Sequence, residues 1–337
     1  MTSSSIIATR SKYLVHSGWF KLLDSYRRDH LSAFVFDIDA IEGRYMDVRK
    51  ARQYYFELQN ESHDHKLPIA VSNYIDPLTF GSYSLALWTA PDLYTLLKVA
   101  CDYCVVLGMP IDLQFYESRQ GSIEIWFVTN EVGDKDGYVT NRGILLYVAM
   151  LLTLLNRTCR SQLEGVEVQL DSLFSENSVS FKVVEQTFSC HFQSGYISRK
   201  IIFQRKGMFT PLKTSEQDIH RVNMVLLREQ MTELSTNNIV LRVRKTLDSL
   251  NDLSLANVNF VSQNMGMTAR TLNRKLNEVS THYRVVLDNY KLEKALGMLS
   301  KSNLSISIIA ENLGFSDVTA FSRAFRRWTG NAPSDYR

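Results

Sequence analysis

Two helix-turn-helix patterns in tandem fill the last third of this 337-residue chain, and they constrain its fold more than any other feature. The second runs from Ile306 to Gly330. A short apolar helix ends at Gly314, Ser316 is the expected cap of the next helix, and Phe321 and Phe325 lie one turn apart on its inner side. That leaves Thr319, Ser322, Arg323 and Arg326 facing outward. The first pattern runs from Phe260 to Leu276. Gly266 sits where a left-handed turn needs no Cβ, Thr268 can cap the following helix, and Leu272 and Leu276 point inward. Arg270, Asn273, Arg274 and Asn277 share the opposite face. The two caps are 48 residues apart, and the amphipathic stretch Val285–Leu299 between them reads as a spacer helix. Two recognition helices on one spacer suit successive major-groove segments about 34 Å apart along B-DNA.

The residue types fit that geometry. Arg can pair with guanine O6 and N7 and Asn with adenine, each good bidentate contact giving about 1–3 kcal/mol of discrimination. Arg326, Arg327 and Lys275 are better suited to phosphates, which position a protein without reading sequence. An Arg on an isolated amphipathic helix normally marks a solvated face. The paired motif reverses that reading for Arg274 and Arg323 and leaves Arg326 and Arg327 balanced between the two.

Charge distribution agrees. Residues 238–337 hold 14 Lys and Arg against 8 Asp and Glu, whereas the rest holds 24 against 27. A basic C-terminal unit joined to a mildly acidic one fits a nucleic-acid reader attached to a different module. At 45% hydrophobic and 22% charged residues, the chain has globular rather than disordered composition. Met1–Arg10 lacks an apolar core of the secretory type. The longest apolar run, Ile144–Leu155, is too short to span a bilayer and reads as a buried helix. Four cysteines make no disulfide framework in a chain this long, so reduced thiols and a cytoplasmic location are expected.

Upstream, periodicity predicts helices over Ser11–Arg28, Met46–Leu58, Asp92–Leu107, Gly143–Leu155 and Glu216–Leu234. Ile111–Glu117 and Ile123–Val128 read as a hairpin, Val166–Leu170 as a strand, and Ser180–Val184 and Ile201–Gln204 as weaker strands. The polar stretch Ser235–Asn238 is the expected linker. The fold class expected is thus an α+β N-terminal sensor or dimerisation domain, residues 1–234, followed by an all-α DNA-binding domain, residues 235–337.

Other chemistries are poorly supported. Cys101 and Cys104 form a lone CxxC inside an amphipathic helix, where packing is the better reading than redox or metal chemistry. His63-Asp64-His65 lies in a polar stretch with no obvious partner. There is no phosphate-binding glycine loop and no serine nucleophile elbow. An alkyl-accepting repair cysteine would follow a proline in the known fusions, and none of Cys101, Cys104, Cys159 or Cys190 does. No catalytic residue, metal or cofactor is expected.

Leu313-Gly314-Phe315-Ser316-Asp317, Ala320–Gly330 and Pro333–Arg337 resemble the C-terminal signature of the AraC/XylS family of bacterial transcription regulators. The resemblance implies Arg270, Asn273 and Arg274 as base-facing positions of the first unit and Val318, Thr319, Ser322 and Arg323 as those of the second. Ser280 and Lys291 depart from the usual Gly and Arg, and Ser262 from a small Ala. Thr79–Leu93 is similar to a segment of the arabinose-binding-type sensor domain found with ornithine-utilisation regulators. That implies a homodimer, promoter DNA and RNA polymerase as partners, activation, and a small-molecule effector held in the N-terminal domain. Aromatic residues could line a pocket there, but no ligand-binding residue can be singled out. The alternative is an N-terminal domain that binds a protein partner or only dimerises.

Overall fold

The computed structural model describes residues 14–31, 43–64, 66–108, 111–118, 121–129, 141–159, 165–171, 179–196, 199–279, 281–301 and 303–336. The N-terminal part is α+β and the C-terminal part is helical. It opens with β1 (Leu14–His16), α1 (Gly18–His30), β2 (Tyr45–Asp47) and α2 (Val48–Ser62). β1 and β2 pair antiparallel, Val15 opposite Met46. The expected first two helices therefore each begin with a strand. Three residues are too few to show a period of two, so neighbouring helical periodicity masks them.

α3 (Leu67–Ser72), α4 (Ser82–Trp88) and α5 (Leu93–Asp102) follow. Asp92 caps α5 by accepting from the Thr95 N–H at 2.7 Å. The helix expected to reach Leu107 stops at Asp102, and Cys104–Leu107 tightens into a 3₁₀ turn. α6 (Asn141–Cys159) is the central helix. Ile144, Val148, Leu151 and Leu155 are buried on one side, and Ala149, Met150, Leu152 and Leu154 are buried on the others. A helix apolar all round belongs inside a core. Its Thr153 hydroxyl bonds the Ser72 hydroxyl of α3 at 2.7 Å.

Among the described residues five strands make the main sheet: β3 (Ile111–Glu117), β4 (Ile123–Thr129), β5 (Glu167–Asp171), β6 (His191–Tyr196) and β7 (Lys200–Phe203). Their order is β3-β4-β7-β5-β6. β3 and β4 form the expected hairpin, and β7 is antiparallel to both its neighbours. Among the described residues only the β5–β6 pair is parallel. A parallel pair needs a crossover, supplied by α7 (Val179–Phe188). The weak strand expected at Ser180–Val184 is therefore helical, and Val184 and Phe188 are buried one turn apart.

α8 (Gln217–Asn237) absorbs most of the expected linker, and Asn238 caps α9 (Ile239–Asp248) by accepting from the Val240 and Leu241 N–H groups. Then come α10 (Val258–Asn264), α11 (Ala269–Glu278), α12 (Tyr283–Lys301), α13 (Ile306–Asn312) and α14 (Val318–Thr329).

One face of the sheet is covered by this helical part. Alternation along β3 puts Asp112, Gln114 and Tyr116 on that face. Register places Trp126 opposite Gln114, Glu124 opposite Tyr116, and Lys200 opposite Trp126. Arg244 of α9 reaches Asp112 at 2.7 Å and also pairs with Glu293 of α12. Gln114 donates to the Asn289 carbonyl of α12 at 3.2 Å. Tyr116 donates to the Tyr336 carbonyl at 2.7 Å. The Tyr336 ring wedges among Tyr116, Trp126 and Phe325, with centroids 5.3–5.7 Å away. Lys200 lies 5.1 Å over Trp126 and pairs with Glu124 at 3.1 Å. Polar residues at alternate strand positions ordinarily face water. Here they bind a second layer.

Candidate DNA-reading surface

Each recognition helix is fixed by a turn and a cap. In the first unit, α10 ends and Gly266 takes φ +69°. Thr268 then accepts from the Thr271 N–H at 3.2 Å, starting α11. Leu272 and Leu276 are fully buried. Arg270, Asn273, Arg274 and Asn277 are exposed together on the far side. Arg274 is engaged by Glu278 one turn on.

The second unit repeats the plan more tightly. Ser305 caps α13 by accepting from the Ile308 N–H at 3.2 Å. Gly314 takes φ +66° directly against the backbone of Leu253 and Ser254, where a Cβ would overlap both. The cap of α14 is Asp317, not the expected Ser316. Asp317 accepts from the Ala320 N–H at 2.7 Å, and the Ser316 hydroxyl donates to its other oxygen at 2.9 Å. A carboxylate at a helix N-terminus gains from both bonding and dipole, so it takes the cap and leaves the serine to brace it. The Ala320 N–H, then the Ser316 hydroxyl, hold its carboxyl below the usual range.

α14 buries Phe321, Ala324 and Phe325. Thr319, Arg323, Arg326 and Arg327 are exposed, Ser322 is half-buried, and Val318 shows 38% of its surface at the helix start. The arginines are not equivalent. Arg327 is tied to Asp288 of α12 at 3.0 Å, and Arg284 binds the same carboxylate at 3.2 Å. Arg323 and Arg326 lie outside the described ion pairs and remain available to an anion. Arg327 thus acts first as a brace between α14 and the spacer.

α12 is the expected spacer, extended to Tyr283–Lys301. Lys291 is buried in it with Nζ 4.6 Å over the Phe315 ring, and burial lowers its pKa. This lysine therefore joins the spacer to the turn of the second unit. Ser262 is buried, its hydroxyl donating to the Asn259 carbonyl at 2.9 Å. Ser280 lies outside the described residues.

The remaining candidates hold no comparable arrangement. Cys101 and Cys104 are buried free thiols, pushed far up by burial. The Cys104 thiol donates to Asp112 at 3.2 Å. Asp64 accepts from the Tyr26 hydroxyl at 3.1 Å, and His65 lies outside the described residues. Among the described residues no three His, Cys, Asp or Glu gather as a metal site. Trp19 packs on Phe80 and Tyr147 with centroids 5.0 and 5.4 Å away, so these aromatics fill core. No described helix is long and apolar enough to cross a membrane.

Two helix-turn-helix units with outward cationic helices, joined by a braced spacer, define a helix-turn-helix transcription regulator. Residues 261–337 match a family model described as a helix-turn-helix domain. An uncharacterized HTH-type transcriptional regulator of Mycobacterium tuberculosis is 24% identical over 306 residues, 89% of this chain and 86% of its own length. The ornithine utilization regulator of Pseudomonas aeruginosa is 46% identical over 70 residues, 21% of each chain. The HTH-type transcriptional activator RhaS of Escherichia coli is 31% identical over 131 residues, 38% of this chain and 47% of its own. Residues 261–337 thus form a helix-turn-helix domain similar to that of AraC-type transcriptional regulators.

Proposed function

We propose that this regulator is a sequence-specific activator whose DNA affinity is set by a small-molecule effector acting through the N-terminal part. The observation that carries the DNA-reading half is the pair of exposed faces on α11 and α14, each fixed by a glycine turn and a side-chain cap. Arg270, Asn273 and Arg274 read bases in one groove segment, and Val318, Thr319, Ser322 and Arg323 in the next. The methyl groups of Val318 suit a thymine methyl. Arg326 meets phosphate, and Arg327 does so only at the expense of its bond to Asp288. Activation is the habit of the AraC/XylS family that the chain resembles and the role of RhaS in Escherichia coli, and it places RNA polymerase beside the bound regulator.

The polar sheet face supports the gating half. Asp112, Gln114 and Tyr116 join the sensor's sheet to α9, α12 and Tyr336, so a change in the sheet reaches the spacer helix directly. An effector that prefers one arrangement shifts the population between arrangements. On α8, Ile219, Val222, Val225 and Leu226 are turned outward, more than 40% exposed each. That stripe favours a homodimer, and it also accommodates the second reading, in which the N-terminal part serves only to dimerise or to hold a protein partner.

The test is site selection from random duplexes with the full chain, followed by titration of variants on the selected site. Arg323→Ala should relax one base pair by about 1–3 kcal/mol. Lys275→Ala should weaken all sequences alike and flatten the salt slope by roughly one unit. Equal, sequence-blind losses from both would refute the assignment of Arg323. A metabolite that shifts both thermal unfolding and operator affinity supports gating, and its absence across a broad panel supports the second reading.

A further inference from the structure

A cavity of about 620 Å³ lies between the two parts of the molecule. One wall is β3 with the end of α5, and the other is α9 with the middle of α12. Its polar end is the Arg244 cluster. Arg244 faces two carboxylates, Asp112 at 2.7 Å and Glu293. The lysines at the rim are already matched: Lys98 pairs with Asp102 at 3.1 Å, and Lys294 pairs with Asp248 at 2.9 Å. Counting the cluster therefore leaves one guanidinium against two carboxylates, a deficit of one positive charge, with Arg244 and Asp112 largely buried and Glu293 40% exposed at the rim. Sheltered charge favours a counter-charge more strongly than exposed charge does.

The rest of the lining is apolar. Val105, Phe115, Met231, Val240, Leu241 and Met298 surround the space beside that charged end. Thioethers and aliphatic chains of this kind adapt to varied apolar shapes. Gly297 of α12 contributes a bare patch of backbone, and a Cβ built there would meet nothing within 4 Å. A glycine inside a helix costs about 1 kcal/mol relative to alanine. Its φ is not positive, so no left-handed turn calls for glycine there. Open volume over the cavity is what the glycine preserves. The Gln114 side chain adds an acceptor: its Nε2 donates to Asn289, while its buried Oε1 has no partner.

We propose that this cleft binds an organic monocation, an ammonium group on an aliphatic or aromatic body. The ammonium takes the unmatched negative charge of Asp112 and Glu293, and the body fills the space over Gly297. The inference rests on the effector reading above and deepens it by giving the effector a place and a charge. Because Asp112 belongs to the sheet and Arg244 and Glu293 to the helical part, the occupant competes with the ion pair that joins them. Binding is then coupled to how α12 and the recognition helices are held.

The probes are hexylamine and phenethylamine, with hexanoate, phenylacetate and hexanol as matched controls. Calorimetry on the full chain should show binding of the amines and none of the anions or the alcohol. Gly297→Phe plugs the cavity and should abolish amine binding while far-UV circular dichroism and operator binding persist. Glu293→Gln neutralises the charge deficit and should weaken the amines about tenfold; it guards against a Gly297→Phe chain that does not fold. Failure of both amines to bind the wild-type protein at millimolar concentration overturns the proposal. So does anion binding in their place, or amine binding that survives both substitutions. Operator affinity separates the two readings. If amines bind at the cleft and DNA affinity is unmoved, the site stands and gating falls. If a metabolite gates the Gly297→Phe chain normally, gating stands and this cleft falls.

Discussion

Truncating Tyr336 tests how the two parts are joined. Its ring is 6% exposed and touches Phe325 on one side and Tyr116 and Trp126 on the other. A buried aromatic replaced by alanine typically costs about 3–5 kcal/mol. The lower end applies to Tyr336→Ala. The bond from the Tyr116 hydroxyl ends on the Tyr336 backbone carbonyl and survives, and the covering loop can settle toward the vacated space. We therefore expect a loss of about 3 kcal/mol in urea unfolding. The loss should fall on the join rather than on either core. Hydrogen exchange followed by mass spectrometry should show faster exchange in residues 121–129 and in α14, with α6 unchanged. Tyr336→Phe keeps the ring and should stay within about 1 kcal/mol of the wild type. A loss below about 1 kcal/mol for the alanine variant, with exchange in β4 unaltered, would refute the view that this ring clasps the helical part to the sheet.

Three further outcomes follow from local geometry. Gly266→Ala meets open space and should cost only the left-handed backbone penalty of about 1–2 kcal/mol, whereas Gly314→Ala must also displace Leu253 and Ser254; thermal melts that rank the two the other way would contradict the close approach. Asp317→Ala should lower both melting temperature and operator affinity, and Asp317→Asn or Asp317→Ser should recover most of the loss, since either side chain can accept from the Ala320 N–H. His16 is buried, its Nδ1 accepts from the Gly18 N–H at 3.0 Å, and burial, followed by the nearby charges of Arg44 and Lys21, lowers its pKa to about 4. The unfolded chain protonates near 6.5 while the folded chain resists, so this stability is full above 6.5 and fades as pH falls toward 4, by about 3 kcal/mol in all; urea melts of His16→Gln at pH 7.5 and 5 should show a shallower pH slope than the wild type.

The recognition units were legible in sequence because each rests on short-range rules. Gly266 and Gly314 mark turns, Thr268 caps its helix, and Leu272, Leu276, Phe321 and Phe325 repeat at helical spacing. The cap of α14 was misplaced by one residue because Ser316 and Asp317 are both good caps, and only the backbone geometry chooses between them. The strands β1 and β2 were too short to register. α7 looked like a strand because Val183 and Val184 are β-branched, and its helical form is imposed by the parallel β5–β6 pair, a long-range fact. The join between the two parts was missed for a different reason. Asp112, Gln114 and Glu124 alternate with apolar residues as a water-facing strand edge would. The available sign was their company: Tyr116 and Trp126 share that face, and large aromatics among polar residues mark a surface that is covered.

The strand order has a consequence for how the chain is made. β7 sits at the middle of the sheet yet is the last strand in sequence. While the chain emerges from the ribosome, β3–β4 forms early as a local hairpin, but β5 and β6 have no route to it until Lys200–Phe203 arrives. During that interval β4 and β5 each present an unpaired edge, the kind that recruits other chains. A fragment ending before Lys200 keeps both edges permanently, so expression of the N-terminal part on its own should succeed only when the fragment runs past β7. Low temperature and slow translation downstream of Tyr196 prolong the exposed stage rather than relieve it, which makes the stretch leading into β7 the place where synonymous codon choice bears on yield.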